Sequence, residues 1–338
     1  MERKKKPASD ESSSDLGFME PQALMQMFAA MSSALASQRQ EAADAFQEPI
    51  EDKDLGLESD IIFPYELEVG VREQQPTNIH PLFGRLFLND KGMSLGGIPK
   101  GTTITLTGPP YTGKTRAGIE MLIRAMMAGE KCGFVVAEEG FYDTTDSGRN
   151  DLHSRLIQIG MAITGLDEKS FRDKYENQYV VIPAQYHLGR SWSDFVTTYR
   201  YVVEDLGATT MIVDSINSLD PSRARTVDNL NALKTYNHQS GVTCVVIGQI
   251  RDTGSPAGGE ALLHVSEVSI HAYELSMTSK EMAEFWGSKY RERIMVMKAT
   301  SKTCGTLSYP VRVTHDENGL IRLHEDQPSD YTVPELPE

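Results

Sequence analysis

The chain has 338 residues, 39% of them hydrophobic and 24% charged, which suits one large α/β domain with accessory segments. No apolar run is long enough to cross a bilayer, the N-terminus lacks the apolar core of a secretory leader, and Cys132, Cys244 and Cys304 are scattered; membrane spans, disulfide frameworks and zinc sites are therefore excluded, and a reducing cytoplasm is expected. The formal net charge is −15, but residues 41–60 (eight acids against Lys53) and 315–338 (seven against Arg322) carry −13 of it, leaving a nearly neutral remainder without a basic stripe for nucleic acid.

Residues 1–19 combine a short Lys run with a Ser-rich, acidic stretch and read as a disordered tail. From 20 to 46 the pattern is helical. Pro21 suits a first turn, and Leu24, Phe28, Met31 and Leu35 make one apolar stripe, to be buried on the main domain or on another subunit. An acidic linker follows at 47–60. The main domain is expected over 61–324, and 325–338 as an acidic, disordered tail. Within the domain, strands are expected at 103–107, 132–137, 179–183, 211–214 and 243–248. Helices are expected between them at 114–128, 151–162, 192–204 and 226–238. Such alternation implies a parallel sheet covered on both faces. Four further runs, at 265–272, 294–298, 307–313 and 320–323, have short connections and predict an antiparallel edge. The fold class is α/β, a mostly parallel central sheet with antiparallel C-terminal edge strands and an N-terminal helical extension.

The segment Gly108, Pro109, Pro110, Tyr111, Thr112, Gly113, Lys114, Thr115 matches G-x-x-x-x-G-K-[ST] in full, between an expected strand and an expected helix. A loop that wraps phosphate oxygens with backbone N–H groups needs glycine where a side chain would intrude, and the helix N-terminus adds its positive dipole end. The expected ligand is a nucleoside triphosphate, ATP with Mg²⁺. Lys114 is assigned to the β- and γ-phosphates and the Thr115 hydroxyl to the metal. Asp214 ends an apolar strand about 100 residues later and suits the metal through water. Glu138 and Glu139 end another strand and can polarise an attacking water; alternation along a strand makes the two inequivalent. Gln249 ends the next strand and can sense the γ-phosphate.

The order of these motifs resembles the RecA-type ATPase superfamily, in particular its KaiC and bacterial RadA branches, over about residues 75–324. Leu95-Gly96-Gly97-Ile98-Pro99-Lys100-Gly101 is similar to the lead-in of those branches. Ala137-Glu138-Glu139 resembles their paired catalytic glutamates, and Asp151 to Met161, with Arg155-Leu156 inside, the helix that follows. Val213-Asp214-Ser215-Ile216 resembles their Mg²⁺ strand. Gly248-Gln249-Ile250-Arg251 with Gly258-Gly259-Glu260-Ala261-Leu262 resembles the sensor strand and the DNA-contacting loop of recombinases. The resemblance implies a RecA-like domain that hydrolyses ATP, in a homo-oligomeric ring or filament with nucleotide between subunits.

The departures are specific. RadA's zinc segment and protease-like domain and KaiC's second ATPase domain have no counterpart here. The loop from Arg251 to Gly258 has no aromatic residue to stack on a base. The Lys-x-Arg or Lys-x-Lys pair that reaches a neighbour's site in many relatives corresponds to Lys298-Ala299-Thr300-Ser301-Lys302, where the spacing is longer, and Lys298 and Lys302 are the trans-acting candidates. Three uses of the ATPase compete: a KaiC-like regulatory ATPase with a protein partner, a RadA-like DNA repair factor, and a non-catalytic scaffold. The neutral core and acidic flanks favour the first, the stretch from Gln249 to Leu262 the second. The intact hydrolytic residues disfavour the third.

Overall fold

The computed structural model describes residues 64, 70, 72–143, 145, 150–184, 191–219, 225–250 and 265–337. The chain divides into two compact units, Met1–Val71 and Arg72–Glu338, and the second contains the sheet and its helices. The expected tail at 1–19, helix at 20–46, linker at 47–60 and loop from Arg251 to Gly258 lie outside the described residues. The described strands run in chain order: β1 Pro76–Thr77, β2 Phe87–Leu88, β3 Ile98–Pro99, β4 Thr103–Gly108, β5 Cys132–Val136, β6 Tyr179–Pro183, β7 Thr210–Asp214, β8 Thr243–Gln249, β9 Val268–Ser276, β10 Arg293–Ser301, β11 Gly305–Thr306, β12 Val311–His315 and β13 Ile321–Leu323. The described α-helices are α1 Lys114–Met127, α2 Leu152–Thr164, α3 Glu168–Tyr175, α4 Trp192–Glu204, α5 Thr226–Ser240 and α6 Lys280–Phe285.

Nine of these strands form one sheet in the order β13-β12-β10-β9-β4-β8-β7-β5-β6. From β9 to β6 every neighbouring pair is parallel, and β10, β12 and β13 add antiparallel at one side. The α/β class and its antiparallel edge are thus as the sequence implies. Strands β4, β5 and β7 are buried along their whole length. Alternation sorts β5 into two layers: Phe134 and Val136 join the core with α1, α2 and α3, whereas Val135 joins the core with α4 and α5. Helix starts are chemically marked. Asp151 caps α2 by accepting from the Ser154 N–H, and Ser191 and Asp194 form a reciprocal capping box on α4. Among the described residues no helix is long and apolar enough to cross a membrane.

Several boundaries differ from expectation. The run at 307–313 is not one strand: β11 ends at Thr306 and β12 begins at Val311. Pro310, which has no N–H for a ladder, separates them. The run at 265–272 starts later and continues to Ser276, paired throughout with β10. Helix α3 has no counterpart among the expected elements because it buries only Phe171 and Tyr175 in a charged surround. The C-terminal segment 325–337 is not a free acidic tail. Gln327 bonds the backbone of Arg312 in both directions, and Tyr331 stacks on Tyr309 at 4.0 Å between centroids. Arg85 donates to the carbonyls of Val333 and Pro334 and pairs with Glu335. Charge density is a poor guide there because most of the contacts are made by an aromatic ring, an amide side chain and two backbone carbonyls.

The edge strands are tied to α1 by a buried carboxylate. Glu120 has no solvent exposure; it accepts from Arg124 at 2.9 Å and from Arg322 at 2.7 Å, and Arg322 also holds Asp316 at 3.1 Å. His80 Nε2 lies 3.6 Å from the same carboxylate. Burial, with Arg322 and Arg124 nearby, holds this imidazole far below its ordinary pKa, so it is neutral.

Candidate active site

The carboxyl ends of parallel strands gather at one edge of the sheet, where ligand sites of open α/β folds form. Here β4 ends at Gly108, β7 at Asp214 and β8 at Gln249, and Glu138 follows β5 by two residues. The loop from Gly108 to Thr115 leads from β4 straight into α1. Gly113 sits at φ +80 next to the His315 ring, where a Cβ would lie 3.0 Å from Nε2; glycine is required by both conformation and space. Thr112 Oγ1 donates to the Pro109 carbonyl at 2.9 Å, tightening the loop. Tyr111 takes φ +64 and is fully exposed.

Lys114 Nζ donates to the carbonyls of Gly108 at 2.9 Å and Pro109 at 2.7 Å. Burial lowers the pKa of this ammonium, and the charges of Asp214 and Glu138 oppose the shift. Thr115 Oγ1 donates to Asp214 Oδ2 at 2.7 Å. Asp214 is 4% exposed. Its own desolvation pushes it up to about 6; Glu138 and Glu139 add to the rise, and the Thr115 hydrogen bond and Lys114 oppose it. The strand ends are sewn together by Ala137 N–H to Asp214 O at 2.7 Å and Glu138 N–H to the same oxygen at 3.3 Å. Glu138 is exposed, whereas Glu139 is partly buried and pairs with Arg155 at 2.5 Å.

These groups line one cleft of about 720 Å³, within the range of small-molecule sites. Gly108, Pro110, Tyr111, Gly113, Lys114, Thr115, Glu138, Glu139, Asp214 and Gln249 all line it, so the sequence-derived candidates converge. Pro109 and Thr112 brace the loop. Lys298 and Lys302 are elsewhere. Lys302 N–H bonds the Glu267 carbonyl, and Glu267 in turn accepts from Thr103 N–H, at the far end of β4. Thr103 and Gly108 are five strand steps apart, roughly 16 Å, whereas Lys298 pairs with His271 and His271 with Thr107, so Lys298 is level with the phosphate-loop end of β4, two strands away.

Six lining residues were not among the sequence candidates: Arg116, Arg155, Ile247, Ile250, His315 and Gly319. His315 is the last residue of β12 and Gly319 lies in the turn to β13, both about two hundred residues from the loop. Arg116 donates to the Asn318 carbonyl at 2.7 Å and holds that turn beside the cleft. No local signal marks such a contact. Arg155 had one: it lies four residues after the cap Asp151, on the turn of α2 nearest the glutamates. Asn217 is a further addition, accepting from Gln249 N–H at 2.8 Å and so fixing the end of β8.

Comparisons with known proteins bear on the family and the fold. The family model described as "ATPase: KaiC" matches residues 81–326. A UPF0273 protein of Saccharolobus solfataricus is 22% identical over 67% of this chain and 77% of its own length. The RecA protein of Campylobacter fetus is 25% identical over 62% of this chain and 59% of its own. The crystal structure of a KaiC-like protein from Pyrococcus horikoshii superposes with a TM-score of 0.53 at 20% identity, covering 74% of this chain and 99% of that one. With a complete phosphate loop facing a buried carboxylate and a family match over well more than half of its length, this chain belongs to the KaiC family of RecA-type P-loop ATPases.

Proposed function

We propose that the protein binds ATP with Mg²⁺ in the cleft and hydrolyses it, as an oligomeric regulatory ATPase of the cytoplasm whose nucleotide state is read by a protein partner. The observation that carries this reading is the convergence of Lys114, Thr115, Asp214 and the two glutamates on a single cleft. The Thr115 hydroxyl and Asp214 carboxylate are hard oxygen donors 2.7 Å apart, a fitting set for a small divalent cation with its remaining positions left to water and phosphate. When bound, Mg²⁺ would neutralise charge on the β- and γ-phosphates. Loop N–H groups and the start of α1 cradle the phosphates. Lys114, released from the Gly108 and Pro109 carbonyls, pairs with the γ-phosphate, because a charge-assisted contact outweighs a neutral one. Glu138, exposed at the mouth and close enough for Lys114 to feel its charge, orients the attacking water, with Glu139 in support. Gln249, held by Asn217, faces the γ-phosphate. The turn bearing His315 and Gly319 closes the side of the cleft beyond Arg116 and suits the nucleoside end.

Lys298 and Lys302 serve a neighbouring subunit in this reading, which is supported by neither of them lining its own cleft. A RadA-like role on DNA is the second reading, motivated by Gln249 and the stretch after it. Residues 61–314 carry a net charge of only −2, so weak DNA affinity is expected. The deciding experiment measures Mg²⁺-dependent phosphate release by wild type and Lys114→Ala, with and without single-stranded DNA at about 150 mM salt, where phosphate contacts are strongly screened. Release by wild type alone, unaffected by DNA, is the expected result. Strong stimulation by DNA moves the repair role to first place, and equal release by both proteins removes the ATPase assignment.

A further inference from the structure

The two glutamates beside the cleft are held differently. Ala137 and Glu138 N–H groups bond the Asp214 carbonyl, which pins the backbone before the pair to β7. On the other side, Arg155 Nη2 lies 2.5 Å from Glu139 Oε2. Arg155 does not reach in from a free surface. Its Nε returns to the Asp151 carbonyl at 3.4 Å, and Asp151 itself caps α2 through Ser154 and accepts from Asp143 N–H at 2.6 Å. The guanidinium is therefore fixed to the first turn of α2. Its side chain is 20% exposed, that of Glu139 31%, and both line the cleft. Glu138 has no salt bridge among the described residues and is exposed.

Building on the ATPase reading, we infer that Arg155 is a positioning residue that divides the labour between the two glutamates. It clamps and neutralises Glu139, and by doing so sets the backbone so that Glu138 projects into the cleft as the carboxylate that takes the water's proton. Two adjacent carboxylates with equal access would repel each other and share water and cations unselectively. A fixed arginine on one of them removes that ambiguity, because the planar guanidinium holds a carboxylate with defined geometry. In the step itself, the water oxygen bonds the γ-phosphorus and the bond from that phosphorus to the bridging oxygen breaks. The electron pair of the broken bond stays on ADP, and the water's proton passes to Glu138. Arg155 touches none of the reacting atoms.

The test is a set of variants assayed for phosphate release over a range of ATP, with binding of a fluorescent non-hydrolysable ATP analogue and thermal melting as controls. Arg155→Ala is expected to lose about tenfold or more in kcat with KM changed less than about twofold, the signature of an interaction felt only in the transition state. Arg155→Lys, which keeps the charge but not the fork, recovers part of that loss. Glu139→Gln loses a similar factor. The double variant Arg155→Ala, Glu139→Gln is no slower than either single one, because the pair acts as a unit. Three results overturn the inference: wild-type kcat in Arg155→Ala; a raised KM with kcat intact, which makes Arg155 a nucleotide ligand; or losses that multiply in the double variant. If Arg155→Ala fails to fold, Arg155→Lys and Glu139→Gln decide through the same kcat and KM split. Absence of hydrolysis by wild type above the level of Lys114→Ala removes the ATPase reading and this inference together, whereas hydrolysis with an unaffected Arg155→Ala removes the inference alone.

Discussion

Strands β4, β5, β7 and β8 are buried from end to end or nearly so, and each delivers a polar group at its carboxyl end: the phosphate loop, Glu138, Asp214 and Gln249. Strands β10, β12 and β13, by contrast, mix buried and open positions, and the residues that the sequence marks there, Lys298 and Lys302 on and after β10, do not line the cleft. Yet the antiparallel edge still reaches the cleft. The turn after β12 places His315 against Gly113, and Arg322 on β13 reaches the buried Glu120 on α1. The parallel half supplies chemistry through strand ends that share one direction. The edge supplies shape and anchorage, through contacts that depend on how it folds back on α1.

The sharpest way to break this contrast is at the loop. Lys114→Ala is expected to abolish phosphate release while leaving the far-ultraviolet circular dichroism and the melting curve close to wild type, since the ammonium donates to neutral loop carbonyls. Residual release at the wild-type rate would show that the chemistry resides elsewhere. Next in size is Glu138→Gln, expected to bind the ATP analogue normally and to slow hydrolysis by at least about a hundredfold, the usual scale for a lost general base. Glu139→Gln should cost less; a reversed order would transfer the water-positioning role to Glu139.

The joint between the two halves is tested by Glu120→Ala. Removing a fully buried carboxylate strands Arg124 and Arg322, and urea unfolding should report a loss of about 3–5 kcal/mol. Because the two arginines are 30% and 28% exposed and can regain water, the lower end of that range is expected. A loss under about 1 kcal/mol, the scale of a surface pair, would mean that the edge docks by apolar packing alone.

The smallest effect has the opposite sign. Burial raises the Asp214 carboxyl to about 6, so ionising it costs the folded state stability. The cost is absent below the ordinary carboxylate pKa near 4, grows as pH rises, and is complete above 6. Asp214→Asn in metal-free buffer should therefore be more stable than wild type at neutral pH, by up to about 3 kcal/mol for a shift of two units. The gain should vanish as pH falls toward about 4. Melting curves across that range check it. A variant less stable than wild type at pH 7.5 would show that the Thr115 hydrogen bond outweighs the desolvation.

Much of the parallel half was legible in advance because its strands are continuous apolar runs bounded by capping residues. The expected helix at 192–204 coincides with α4, whose start is written in Ser191 and Asp194. The phosphate loop was legible for a different reason: a backbone that must wrap an anion needs glycine where a side chain would intrude, and the lysine and threonine stand at fixed spacing from it. Helix α6 was missed because six residues are too few to establish a period, and α3 because its apolar face is two residues wide.

The sequence by itself determined that a phosphate loop, a carboxylate strand and a glutamate pair exist, and in which order, since each is a local pattern set by covalent spacing. Only the tertiary structure decided that Thr115 meets Asp214, that Arg155 takes Glu139 and leaves Glu138 exposed, that His315 returns to the phosphate loop and that Arg322 returns to α1. Those pairs are separated by up to two hundred residues. A side chain's partner at that range is fixed by the sheet order and the packing of helices on it, which no periodicity along the chain encodes.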